Sequence, residues 1–174
     1  AHILAQHNID TADIYANQRT GAGGFLTKNK ATNIIDVAFS HPIKLIANAL
    51  GVPPQYMLDM GKQHGVAVAA LVGAKEHAAK QVDAGVDVLV VAGTEAGGHC
   101  GEVSTMVLVP EVCQYIEGSG VPVLAAGGII KGRQMAASMA MGASGAWTGS
   151  MWLTTSEAET SPVIKEKYVQ ASSR

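Results

Sequence analysis

The chain has 174 residues, 48% of them hydrophobic, which suits one domain with a real core and excludes a disordered or collagen-like composition. Twelve basic against fourteen acidic residues, with a pI near 6.3, give no electrostatic case for nucleic acid or an anionic membrane surface. No apolar run approaches the ~18 residues of a spanning helix and no signal-peptide pattern opens the chain. A cytoplasmic protein is expected, and two cysteines without metal-ligand spacing, Cys100 and Cys113, read there as reduced thiols and predict no metal site.

Residues 1–40 carry little strand signal. Ala1 to Gln6 reads as the end of a helix, Asn17 to Asn29 with Gly21, Gly23 and Gly24 as a loop, and Thr32 to Phe39 as a helix capped near Thr32 or Asn33. A long loop in a compact domain is usually functional, so this segment is expected to be a variable insertion or a lid.

A rhythm starts at His41 and defines a second region, 41–153. Strands are expected at Ile43 to Leu50, Val66 to Val72, Asp87 to Ala92, Val121 to Ala126 and Ala143 to Trp147. Helices alternate with them. Gln55 to His64 follows Pro53-Pro54. Lys75 to Ala84 should turn its alanines inward and Lys75, Glu76, Lys80 and Gln81 to water, with Gly85 as its stop. Met106 to Glu117 is expected to begin only near Pro110, and Gly132 to Met141 ends at Gly142. Residues 154–174 read as the start of a C-terminal segment, a charged surface helix interrupted at Pro162.

Strand, helix, strand at this spacing is the pattern of parallel β/α units. They could form an open doubly wound sheet or part of an eight-stranded barrel. The first should carry G-x-G-x-x-G after its first strand, and none is present. Glycine pairs instead follow the last two strands, Gly127-Gly128 and Gly149-Ser150, where barrels place a phosphate group. The expected fold is therefore α/β, of the (β/α)8 TIM-barrel type, incomplete, with five parallel units.

The loop after the third strand, Gly93 to Gly101, holds four glycines around one imidazole, His99. Imidazole exchanges protons near neutral pH, so a histidine at the carboxyl end of a barrel strand is a candidate base. His2, His7, His41, His64 and His77 lack that setting. Glu95 reads mainly as a solvated loop charge, and Cys100 lacks the orienting partners of a nucleophile. Several backbone N–H groups aimed at one place, with no side chain in the way, are what a phosphate needs, and Gly127, Gly128, Gly149 and Ser150 can supply them jointly.

Three stretches carry a family likeness: Gly93-Thr94-Glu95-Ala96-Gly97-Gly98-His99, Pro122 to Ile129, and Gly142 to Ser150. Together they resemble the nitronate monooxygenase (2-nitropropane dioxygenase-like) family of FMN-dependent barrels. The resemblance implies His99 as the base that removes a carbon-bound proton, Gly97 and Gly98 beside the flavin, and Gly127, Gly128, Gly149 and Ser150 around the FMN phosphate. It implies oxidation of alkyl nitronates or nitroalkanes with O2. The same frame is similar to enoyl-acyl carrier protein reductase II and to actinobacterial enzymes acting on CoA thioesters, so an acyl thioester or quinone with NAD(P)H is the alternative. Many members have glutamine where this chain has Ala92. Members are also considerably longer, and the strands here match the last five of eight. A fragment that retains only phosphate binding, or a homo-oligomer that covers the open sheet edge, is expected on that ground.

Overall fold

The computed structural model describes residues 28–172, and the expectations for residues 1–27, a lid among them, lie outside the described residues. The chain divides into two compact units, Ala1–Lys44 and Leu45–Arg174. In the first, helix α1 runs Lys28–Phe39. It starts earlier than the expected cap at Thr32, and Lys28 and Asn29 are helical rather than loop. Lysine and alanine propagate a helix readily, so nothing at Lys28 to Ala31 opposes the added turn.

The second unit is built on one parallel sheet of five strands in sequential order: β1 (Leu45–Asn48), β2 (Ala67–Val72), β3 (Val88–Ala92), β4 (Val123–Ala126) and β5 (Gly145–Trp147). Register is continuous across the centre, with Val90 opposite both Leu71 and Leu124. Between the strands run α2 (Gln55–His64), α3 (Lys75–Ala84), α4 (Thr105–Tyr115) and α5 (Gly132–Ala140); a 3-10 turn (Ser150–Thr154) and α6 (Pro162–Gln170) follow β5. Strand alternation explains the packing. Leu89 and Val91 point to one face, where α4 packs on β3 and β4 with Leu108, Val109 and Val112 completely buried. The opposite face gathers Ala69, Val90 and Ala126, with Leu71, Val88, Ala92 and Leu124 only partly covered around them. Such a half-covered inner face, with β1 and β5 each paired on one side among the described residues, fits the expected incomplete barrel.

Four readings need correction. Gln81 is not in water but 2% exposed, because its Nε2 donates to the Gly51 carbonyl at 2.9 Å and draws the amide under the β1–α2 loop. Helix α4 begins at Thr105, five residues before Pro110, which lies inside it. Interior proline costs about 3 kcal/mol, and three fully buried side chains at about 1.5–3 kcal/mol each outweigh that. Pro162 starts α6 instead of interrupting it, in the position where a missing N–H costs nothing. Finally Asp87, the lone charge in an apolar run, lies just before β3 and accepts a hydrogen bond from the Val68 N–H at 2.8 Å.

Since Leu108 is wholly enclosed, Leu108→Ala should lower unfolding free energy by about 2–5 kcal/mol, measured by urea denaturation with unchanged slope.

Candidate functional site

All five strands point the same way, so the loops that follow them collect at one end of the sheet. The β3–α4 loop carries His99. Its neck is closed by the Thr94 N–H donating to the Val103 carbonyl at 2.9 Å and the Ala96 N–H to the Gly93 carbonyl at 3.0 Å. Each limb then presses on a neighbouring turn. On one side the backbone of Gly101 abuts that of Gly73 after β2 so closely that neither tolerates a side chain without movement. On the other, a Cβ on Gly127 would lie 2.7 Å from Thr105 Oγ1 and 3.1 Å from the Ala96 nitrogen. Gly127 and Gly128 also hold φ of 106° and 68°, a region costly to side-chain-bearing residues.

Thr105, the first residue of α4, ties these pieces together. Its N–H and its hydroxyl both reach Glu95 Oε2 at 2.8 Å, and the hydroxyl lies 3.1 Å from the Ala126 carbonyl. These hydrogen bonds hold the Glu95 carboxyl below its ordinary range, the Thr105 backbone contribution being the largest. Glu95 is thus not a free loop charge. It fastens the His99 loop to the start of α4.

Two clefts flank His99 at this end. The larger, about 360 Å³, is lined by His99, Gly97, Glu95, Gly127, Gly128, Trp147, Gly149 and Ser150, over Leu71 and Ala92. It therefore brings together every residue expected at the site except Gly98, which belongs to the same loop but not to the cleft wall. The smaller, about 240 Å³, is lined by Ala49, Leu50, Gly51, Val72, His77 and Cys100 and shares Leu71, Ala92 and His99 with the first. His99 is exposed and stands on the boundary between the two. Cys100 is exposed as well, and its Sγ lies 3.6 Å from the Thr94 carbonyl.

A mononucleotide phosphate fits the larger cleft by its donor set. Among the described residues no acceptor takes the N–H groups of Gly128 or Gly149, and a Cβ on Gly149 would meet nothing within 4 Å. The start of α5 contributes less than its position promises. Gln134 Oε1 already accepts from the Ile130 and Lys131 N–H groups at 2.9 Å each, while its Nε2 donates to the Gly128 carbonyl at 2.7 Å. Gln134 therefore braces the turn and uses up two donors of the helix end. Sequence reasoning missed Thr105, Gln134 and the contact between Gly73 and Gly101. Ser104-Thr105 before an apolar run is a usable helix-start signal, with which Pro110 inside the same helix competes.

The family model described as nitronate monooxygenase matches residues 2–174. A Mycobacterium tuberculosis protein named "Putative monooxygenase" is 55% identical over 155 residues, covering 88% of this chain and 41% of that protein. A (3aS,4S,5R,7aS)-5-hydroxy-7a-methyl-1-oxo-octahydro-1H-indene-4-carboxyl-CoA dehydrogenase of the same organism is 36% identical, covering 79% of this chain and 38% of that protein. The structure of FabK from Thermotoga maritima superposes with a TM-score of 0.75 at 35% identity, covering 84% of this chain and 46% of that one. This chain thus spans less than half the length of each of these three.

Because the Glu95 carboxyl is held below its ordinary value, its tie to Thr105 contributes stability in full above the unfolded carboxylate range, and that contribution is lost as pH falls through the folded value. Hydrogen exchange at the Thr105 amide should accelerate relative to other α4 amides on acidification, and Glu95→Ala should abolish that extra acceleration. An unchanged relative rate in the variant would remove Glu95 from this role.

Proposed function

The chain belongs to the nitronate monooxygenase family, and from that premise we propose that it is an FMN-dependent oxidoreductase that takes a carbon-bound proton and two electrons from an alkyl nitro compound, with O2 as final acceptor. One observation carries this reading. A single cleft at the carboxyl ends of the strands contains an exposed imidazole, His99, and the unspent N–H groups of the turns after β4 and β5.

In this reading Gly127, Gly128, Gly149 and Ser150 hold the phosphate of FMN, with Gly97 beside the ring system. When bound, the flavin supplies a two-electron acceptor. The protein's own work is positional. Leu71 and Ala92 form an apolar floor shared by both clefts, which suits a flat ring and the carbon end of a substrate. A His99 ring nitrogen receives the proton from the substrate carbon, and the electron pair of the broken C–H bond is left on the substrate, delocalised onto its nitro group. Because His99 borders both clefts, a substrate in the smaller one lies within reach of the same imidazole that faces the larger.

A second reading replaces the nitro compound by a CoA or acyl-carrier thioester, with a reduced or oxidised nicotinamide as electron partner. It is favoured by the CoA dehydrogenase at 36% identity and by the mainly apolar lining of the smaller cleft. Both readings use the same base and the same phosphate turns.

Purified protein supplied with FMN should be yellow, and His99→Ala should lower turnover by about 10²–10⁴-fold while changing the FMN dissociation constant little. Oxygen uptake with a small nitroalkane, compared with nicotinamide turnover on a thioester, separates the two readings. Protein that cannot be loaded with FMN under any condition would overturn both.

A further inference from the structure

The larger cleft contains an electrostatic contradiction. Its turns offer the unspent N–H groups of Gly128 and Gly149, which attract an anion, yet the Glu95 carboxylate lines the same wall. Glu95 Cβ lies 3.3 Å, and its Cγ 3.8 Å, from where a side chain on Gly128 would begin. A loose carboxylate there would repel a phosphate, because interactions between close charges in a partly enclosed cleft are poorly screened by salt.

The carboxylate is not loose. Its Oε2 accepts both the N–H and the hydroxyl of Thr105, at 2.8 Å each, and Thr105 is the first residue of an eleven-residue helix. The positive end of that helix favours negative charge at this atom. Thr105 is only 7% exposed, so the two hydrogen bonds are sheltered from water on its side. The single hydroxyl proton has three acceptors around it, and the Glu95 oxygen is nearest; the Ala126 carbonyl at 3.1 Å already receives the Gly93 N–H at 3.2 Å.

We propose that Glu95 and Thr105 are a positioning pair for the bound anion: Thr105 anchors the Glu95 carboxylate to the start of α4, which keeps its negative charge out of the Gly127–Gly149 cradle while fixing the His99 loop against that same cradle. The proposal rests on the reading of this cleft as the FMN site. Neither residue touches the reacting atoms. Thr105→Val removes the hydroxyl half of the tie and keeps the N–H half, which loosens the charge beside the phosphate, so the damage should depend on the phosphate and not on the ring.

Binding of FMN, riboflavin and inorganic phosphate to the full chain, as wild type and as Thr105→Val, Thr105→Ser, Glu95→Gln and the Thr105→Val/Glu95→Gln double variant, tests this. Thr105→Val should weaken FMN and phosphate by about tenfold or more, the size of a lost hydrogen bond to a charged group, and leave riboflavin nearly unchanged. Glu95→Gln should bind FMN at least as tightly as wild type, since its amide oxygen can accept the same two hydrogen bonds without the charge. Thr105→Ser should resemble wild type, and the double variant should recover most of the loss. Equal weakening of FMN and riboflavin, or no recovery in the double variant, would overturn the pair and leave a simple packing role. Where Thr105→Val does not fold, a tenfold loss of FMN affinity in Glu95→Gln is the overturning result. Wild-type protein that binds phosphate but not FMN would end the flavin reading while the phosphate series still decides the pair; binding neither anion would end the pair as well.

Discussion

The end of the sheet that carries the clefts depends on how closely two loops approach the first residue of one helix. Thr105 is met by the end of β3 at Gly93, by Glu95 in the loop beyond it, and by Gly127 in the turn after β4. At Gly93 a side chain would run into the Thr105 backbone itself, so this position has no tolerance at all. The approach is favourable because each polar group involved finds a partner. An unpaired group at such a crossing would cost about 1–3 kcal/mol, and here amide, hydroxyl, carboxylate and carbonyl close on one another. Two neighbouring loops thereby become one mechanical unit.

That unit explains which parts of the site were readable in the sequence. The glycine pairs after the last two strands and the lone imidazole after the third are local signals: a strand pattern ends, and a residue type with special geometry or chemistry follows. Their convergence on one cleft needed only the parallel order of the strands, which periodicity also supplies. The meeting of Thr105 with Glu95 gave no such signal, because ten positions separate them and their contact is set by how α4 docks on β3 and β4. A carboxylate in a glycine-rich loop reads as solvated until the helix that receives it is placed. Gln81 misled for the same reason. Its place on a polar helix face suggested water, whereas its Nε2 donates to the Gly51 carbonyl thirty residues away.

Proline was the other source of error, in two directions. Pro110 was read as a helix start and lies inside α4; Pro162 was read as an interruption and starts α6. Both follow from treating proline as a local breaker. In α4 the apolar face of Leu108, Val109 and Val112 is sealed against the sheet, and tertiary burial overrides the missing hydrogen bond. In α6, which has no buried residue, nothing overrides local preference, and proline sits in the first turn where that preference puts it. The contrast between the two helices shows that the rule is energetic and not positional.

In the function proposed for it, the site has to reconcile a fixed base with an open entrance. General base catalysis needs the imidazole held within a narrow geometry, whereas a substrate needs room to arrive. The β3–α4 loop separates these demands along its length. Its roots are immobilised by the Thr94–Val103 hydrogen bond, by the Gly101–Gly73 contact and by the Glu95–Thr105 tie. Its tip is different: added Cβ atoms on Gly97 and Gly98 would meet nothing within 4 Å. His99 stands between the uncrowded tip and the jammed return limb, facing both clefts. A longer free loop would lose the orientation, and a tip packed like the roots would close the entrance. Glycine at the crowded positions permits close approach, and glycine at the tip keeps side chains out of the opening, so one residue type serves opposite mechanical ends within a single loop.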